Sequence, residues 1–519
     1  MRLFVDTRYP LDILSLDNDD NDLFNLIAQP ISYINKASYS ACKTSVLRGF
    51  PGPRPIPFLG ILPQMIKKGF HGLDIELVKK YGSVVGTYVG HFPSILISDP
   101  DMIKEIWVKD FKHFSDRPEL AYAGEMAYSA VTLAKGEHWK FLRHVFSPSF
   151  SPAKLKQMFS SIEDCSDQLI SQMKKQSQRN KHVNMEQICQ GFSMDVICGT
   201  AFGLKVDSQE NPNNEFIKMA KEMTSLKFSS PLFLLQAFFP ELLHVFSRFE
   251  IRPFPSEAID FFMDITKTAI QKRKDNNMTR PDFLQLMINN YKGERDADIK
   301  NGSLEMYKQR GITETEILAN SLIFFLDGYD TTASGLIFSI YRMAVHQDYQ
   351  ERLFKEIDHE IGKDSPRYEQ ILKLPYLDMF FCEVMRMYPP STRTNRKTMK
   401  SVTVNGYRIP DGVEVTVPIY AMHYDPELWP EPESFNPERF SAVNKEKRNP
   451  YSYMPFGHGP RNCIGMRLAH LETKMAMVRI LQHFRLKPTP DTKIPIELDN
   501  TSGGILRPKN PVYVMIEPR

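Results

Sequence analysis

Most of the chain carries helical spacing of apolar positions, and its β-rich runs are short. Thr313 to about His346 is the clearest helix. It opens on Thr313-Glu314-Thr315-Glu316, a capping box in which the threonine and the glutamate satisfy each other's backbone amides. At 1.5 Å per residue such a helix is on the order of 50 Å long, enough to cross a whole domain, so a central position is expected. Met466 to Phe484 predicts a second helix with the apolar stripe Leu468, Leu471, Met475, Met477, Ile480 and Leu481. Val84–Val89 and Ile95–Ser98 are β-rich and separated by Gly90-His91-Phe92-Pro93, which predicts a hairpin. The fold class expected is mainly α with small β-sheets (α+β).

Residues 1–49 stand apart as an atypical N-terminal segment. Their longest apolar stretch, Leu23 to Ile34, is broken by Asn25, Gln29 and Pro30. A membrane-spanning helix needs about 20 apolar residues, so no clear transmembrane anchor is read here. The stretch also lacks the basic start of a signal peptide. Pro51, Pro53, Pro55 and Pro57 then stiffen a lead-in, and one domain is expected over 50–519. Phe228 to Phe246 is very apolar, yet Pro231, Pro240, Glu241 and His244 argue against a span. A substrate lid, a surface dipping into a membrane, or a buried helix pair remain open for it.

At 42% hydrophobic residues the chain supports a large core, which excludes disorder. A formal net charge of +3 with no basic stripe gives no reason to expect a nucleic-acid partner. Six scattered cysteines, none in a C-x-x-C pair, fit a reducing compartment and argue against a zinc ribbon.

Cys463 is the exception among them. Phe456-Gly457-His458-Gly459-Pro460-Arg461-Asn462-Cys463-Ile464-Gly465 is a tight loop running into the Met466 helix. Free amides and the helix dipole there favour a thiolate. Facing a flat apolar cavity, that thiolate can ligate iron. A nucleophilic thiol with His458 as base and a buried structural cysteine stay open on these residues alone. A dinucleotide-binding loop fails, because Asn462 stands where the third glycine is needed.

The same stretch matches the F-x-x-G-x-R-x-C-x-G signature of the cytochromes P-450. Trp139 to Arg143 resembles that family's W-x-x-x-R, Glu383 to Arg386 its E-x-x-R, and Pro437-Glu438-Arg439-Phe440 its P-E-R-F element. Within the family the chain is most similar to the animal microsomal branch containing vertebrate family 3A. The resemblance implies haem b as cofactor, with Cys463 as its metal ligand. It implies Trp139, Arg143, Arg396, Arg461, Arg117 and Phe456 as haem-binding residues. Glu383, Arg386 and Arg439 become a structural network locking the loop of Cys463. Asp327-Gly328-Tyr329-Asp330-Thr331-Thr332 resembles the oxygen-activating [AG]-G-x-[DE]-T-T. There Thr331 and Asp330 are the implied catalytic pair, and Gly328 is expected to leave room for dioxygen. The Thr331 hydroxyl is expected to bond back to the carbonyl four residues earlier, loosening the helix.

Implied partners are NADPH–cytochrome P-450 reductase, cytochrome b5 and a small apolar substrate at the cytosolic face of the endoplasmic reticulum membrane. The implied activity is a monooxygenase inserting one oxygen atom from dioxygen. Alternatives are a haem-thiolate isomerase or dehydratase and a non-catalytic haem protein binding a lipid or gas. Expected pocket segments are Leu120–Val131, Phe228–Phe239, Phe324–Thr331 and Pro390–Thr394, with Ser129, Phe324, Asp327, Gly328, Pro390 and Ser391 facing substrate. One departure stands out: Asp327 occupies a position where alanine or glycine is usual. It shares the cavity face with Thr331, and a carboxylate is costly to bury there unless paired or protonated. It could bind a cationic amine, pair with Arg393, or turn away behind the helix.

Overall fold

The capping box does start the longest helix. A computed structural model describes residues 46–519, except 57–58, 91, 120–123, 180–181, 225–254, 294–301 and 502–503. The longer helices are α1 (Leu62–Tyr81), α2 (Gly136–Phe146), α3 (Pro152–Arg179), α4 (Met185–Ile197), α5 (Glu215–Thr224), α6 (Ser256–Asp275), α7 (Glu314–Val345), α8 (Gln347–Glu360), α9 (Pro375–Met387) and α10 (Met466–His483). The strands are β1 (Val84–Val89), β2 (Phe92–Ile97), β3 (Val183–Asn184), β4 (Thr394–Lys397), β5 (Val402–Val404), β6 (Tyr407–Ile409), β7 (Glu414–Val417), β8 (Phe484–Pro488) and β9 (Tyr513–Pro518). The mainly α architecture with small sheets is the one expected. The apolar run Phe228–Phe246 and the segment before residue 46 lie outside the described residues.

Helix α7 spans 32 residues without a break. Thr313 Oγ1 accepts from Glu316 N (3.2 Å) while Glu316 Oε2 accepts from Thr313 N (2.9 Å). Glu316 also meets Arg310 and His138 Nε2 (2.6 Å), so the helix start is tied to α2 as well as to itself. Most of α7 is buried, and several of its polar side chains there have partners, although Ser321 Oγ and Tyr329 Oη find none among the described residues. Asn320 Oδ1 accepts from Val131 N (2.8 Å) and its amide donates to Ser129 O (3.0 Å). Ser334 donates to Leu506 O (2.7 Å). A polar helix interior is thus bought into the core one hydrogen bond at a time.

The hairpin is tighter than the spacing predicts. Val89 already pairs with Phe92, and Gly90 at φ +63° makes the turn, so β2 begins three residues early. The main sheet runs β1-β2-β7-β4, with β2 parallel to β7 and β4 antiparallel to it. This order carries β4 to the inner face below α7. A second sheet runs β3-β9-β8, and β5-β6 is a separate hairpin.

The two halves of the capping box should differ in weight. Thr313→Ala removes one cap and is expected to cost about 1 kcal/mol in urea unfolding. Glu316→Ala also breaks the buried ion pair with Arg310 and is expected to cost about 3–5 kcal/mol.

Candidate active site

Between Pro455 and α10 the chain folds into a loop held by its own backbone. Gly457 N donates to Met454 O (2.9 Å), Asn462 N to Gly459 O (3.1 Å) and Cys463 N to Phe456 O (2.9 Å). Gly457 (φ +69°) and Gly459 (φ +75°) both lie in the left-handed region. Space separates them. A Cβ on Gly459 would stand 2.2 Å from Trp107 O, whereas one on Gly457 would find nothing nearer than 3.8 Å.

Three anchors fix this loop from outside. Arg143 of α2 donates to Asn462 O (3.0 Å) and Oδ1 (2.9 Å), one residue before the cysteine. Arg461 stacks over Trp139 (4.6 Å) and donates to Ala134 O. The third anchor starts on α9, where Arg386 grips Glu383 through Nε (2.7 Å) and Nη2 (2.9 Å), both side chains fully buried. Arg439 Nε lies 3.4 Å from the same carboxylate, and Asn436 N donates to it (2.9 Å). Arg386 also donates to His423 O (2.7 Å). The His423 ring then completes the link: Met454 N donates to Nε2 (3.1 Å), and Nδ1 sits 2.9 Å from Arg386 O. This fixes a neutral ring with its proton on Nδ1. Burial beside Arg386 pushes its pKa down to about 3. Sequence reasoning missed His423, since a lone histidine carries no spacing signal.

The loop borders an internal cavity of about 640 Å³. Cys463 is enclosed by the protein, and its accessible surface faces the cavity interior. Across the space runs the Ile323–Thr332 stretch of α7, with Phe324, Asp327, Gly328 and Thr331 in the wall. Trp139, Arg143, Arg117, Arg461, Phe456, Pro390 and Ser391 line it as well. Thr331 Oγ1 donates to Asp327 O (2.6 Å), the back-bond read from the sequence, yet the helix is not interrupted.

Several expectations need correction. Ser129 is not in the wall; Asn320 holds its carbonyl, and Val131 and Thr132 face the cavity instead. Arg396 stands behind Asn395, donating to its carbonyl (2.7 Å). Asp330 turns away from the cavity and pairs with Arg507, itself within 3.2 Å of Thr224 Oγ1. Gly328 stays in the cavity wall as expected and serves packing as well: a Cβ there would meet the Ile197 side chain at 2.7 Å, so glycine lets α4 close against α7. Arg393 does not pair with Asp327. It is bound to Asp74 and stacked on Phe70 (3.9 Å). Burial raises the pKa of Cys463, outweighing the Gly465 amide, Arg143 and Arg117.

A second carboxyl went unread. Glu472 of α10 lines the cavity and accepts from Thr332 Oγ1 (2.8 Å). Burial lifts its pKa to about 8, so it is protonated at neutral pH.

A family model for cytochrome P450 matches residues 50–516. The chain belongs to that family, and it is a haem-iron monooxygenase that takes electrons from a redox partner. Among its relatives, cytochrome P450 3A12 of Canis lupus familiaris is 40% identical over 474 residues, covering 91% of this chain and 92% of the relative. Cytochrome P450 3A41 of Mus musculus is 39% identical over 475 residues, with the same coverage. Cytochrome P450 3A5 of Homo sapiens is 40% identical over 474 residues, with 91% of each chain covered.

The cavity fits the cofactor. Its wall holds cationic N–H groups that lack protein acceptors, Arg461 Nε and Nη1, and behind Asn395 the buried Arg396 Nε also has no hydrogen bond among the described residues. Two propionates supply the acceptors that such guanidinium groups require.

Two outcomes follow. Gly459→Ala should lower haem content several-fold relative to Gly457→Ala, read as bound haem per purified protein. For Glu472, the folded pKa lies above the unfolded one. Its stabilising effect is full below about pH 4.5 and is lost as pH rises through about 8. Relative to wild type, Glu472→Gln should therefore gain up to about 1.4 kcal/mol per pH unit across that window in urea unfolding.

Proposed function

We propose that this chain is a haem b monooxygenase whose iron Cys463 would hold, oxidising small apolar molecules with electrons from NADPH–cytochrome P450 reductase, with cytochrome b5 as an accessory donor. One observation carries the reading: among the described residues Cys463 is the one cysteine in the wall of a cavity that also takes in Asp327, Gly328 and Thr331 of α7. Trp139, Arg143, Arg461 and Arg117 are the residues that would hold the propionates, with Arg396 supporting them from behind the wall. Bound haem supplies dioxygen activation.

The chain's own residues then divide the remaining work. The loop anchors hold the sulfur at one position, and the Gly465 amide stabilises its negative charge. Thr331 donates to Asp327 O, which leaves its hydroxyl oxygen free to accept a hydrogen bond from the cavity side. Asp330 is buried, and burial raises its carboxyl above the usual range against the pull of Arg507. Arg507 is partly exposed (29%), so the pair reaches from solvent to the turn carrying Thr331. A proton taken up at this acid lies one residue from the hydroxyl that would pass it on. The walls, rich in Phe324, Phe283, Ile323 and Ile505, exclude water and favour an apolar body.

Resemblance to microsomal relatives supports a place at the cytosolic face of the endoplasmic reticulum membrane. Among the described residues no helix is long and apolar enough to cross a membrane.

Cys463→Ser should abolish the thiolate-type carbon-monoxide spectrum of the reduced protein and reductase-dependent substrate oxidation, while far-UV circular dichroism stays unchanged. Full oxidation by the serine variant would overturn the reading. Turnover of a lipid peroxide without reductase would favour the isomerase class instead.

A further inference from the structure

We propose that Asp327 forms an anionic subsite inside the cavity, which selects substrates carrying a cationic nitrogen on an apolar body. The proposal rests on the monooxygenase reading and names the substrate class for it.

Among the described residues the buried acids are partnered. Asp74 is held by Arg393, Asp282 by Arg273, Glu383 by Arg386 and Asp330 by Arg507. Glu472 takes a hydrogen bond from Thr332. Asp327 differs from all of them. Its side chain sits in the cavity wall with its accessible surface toward the cavity, and no hydrogen bond or ion pair reaches its carboxylate from the described residues. A carboxylate removed from bulk water without a partner is strongly disfavoured, so a fold that keeps one leaves a place for a counter-charge.

The protein does not bring that charge itself. Arg393 is committed to Asp74. Arg117 acts on Asp327 only through space and is claimed by the cofactor rim in the reading above. Cys463, the other titratable group acting on it across the cavity, adds like charge when ionised. Burial raises the Asp327 pKa to about 6, opposed by Arg117, so the side chain is still an anion at neutral pH.

A metal ion is a poor occupant. Among the described residues no group of three or more acidic, histidine or cysteine side chains could hold one. The neighbours one turn back on α7, Ile323 and Phe324, and the facing Val131, Phe283 and Ile505 are apolar. A ligand that satisfies this wall has a hydrocarbon or aromatic body and one positive charge. The attraction is strong there because the surroundings are of low polarity.

The test is isothermal calorimetry on the haem-loaded protein with benzyltrimethylammonium, which cannot ligate iron, and neopentylbenzene, its neutral isostere. Wild type should bind the ammonium at least about 10-fold tighter than Asp327→Asn does, and the charge-keeping Asp327→Glu should retain most of that affinity. Neopentylbenzene should bind wild type and the Asn variant equally. Equal loss for both ligands, or an unchanged ammonium affinity, would overturn the proposal. Should Asp327→Asn fail to load haem, wild type alone decides, because a preference for neopentylbenzene over the ammonium would refute the subsite. Failure of the monooxygenase reading would appear separately, as a wild-type protein without the thiolate-type carbon-monoxide spectrum.

Discussion

Everything at the active site depends on keeping one sulfur still at the end of an irregular loop. A helix or strand would hold it through a ladder of backbone bonds, but this loop has only three internal ones. The rigidity comes from Arg386. Its guanidinium is fully buried and spends its donors on Glu383, His423 O and Pro432 O, so each hydrogen bond fixes a different segment. A buried ion pair is weak evidence for stability, since desolvating two charges costs several kcal/mol each. Its worth here is positional. Apolar residues could fill the same volume, but they would not specify the distance between α9, the His423 turn and the segment before Pro455. The neutral His423 ring carries that specification the last step, to Met454 N.

The second constraint is charge. Arg117, Arg143, Arg396 and Arg461 crowd one side of the cavity, and burial lowers the pKa of each. Such a cluster repels itself, and the protein supplies few acceptors: Asn462 for Arg143, Ala134 O for Arg461, Asn395 O for Arg396. A dianionic cofactor edge would relieve it. Cofactor binding and stability are therefore coupled here.

How far the sequence could be read follows from how local each signal is. The capping box of α7 and the Thr331 back-bond involve residues three or four apart, and both were legible as written. The strand β1 was also legible, but the start of β2 was not, because Gly90 allowed a two-residue turn where four were expected. Contacts between distant segments stayed hidden. Nothing near Asp330 in the chain announces Arg507, 177 positions on. That Gly328 also lets α4 approach could not be read, because Ile197 lies far from it in the chain. Arg393 was offered to Asp327 on similar grounds, yet Asp74 on α1 takes it. Most of the residues named for the cavity do line it, and Ser129, Arg396 and Asp330 do not. What each one touches required the fold.

Three carboxyls around one helix display what those distant contacts decide. Asp327 and Asp330 lie three residues apart on α7, and Glu472 approaches the same turn from α10. Alike in chemistry, they differ in state. Glu472 has a single hydroxyl for company, so burial prevails and it keeps its proton at pH 7. Asp330 faces the Arg507 guanidinium and a partly open route to solvent, which suits an acid that must be refilled. Asp327 has neither a hydroxyl nor a bound cation, only Arg117 at a distance and the interior of the cavity before it. Environment separates the three, as it does wherever one kind of side chain must both hold and move protons. It also makes Asp327 the position where a change of ligand, rather than a change of fold, can supply the missing charge.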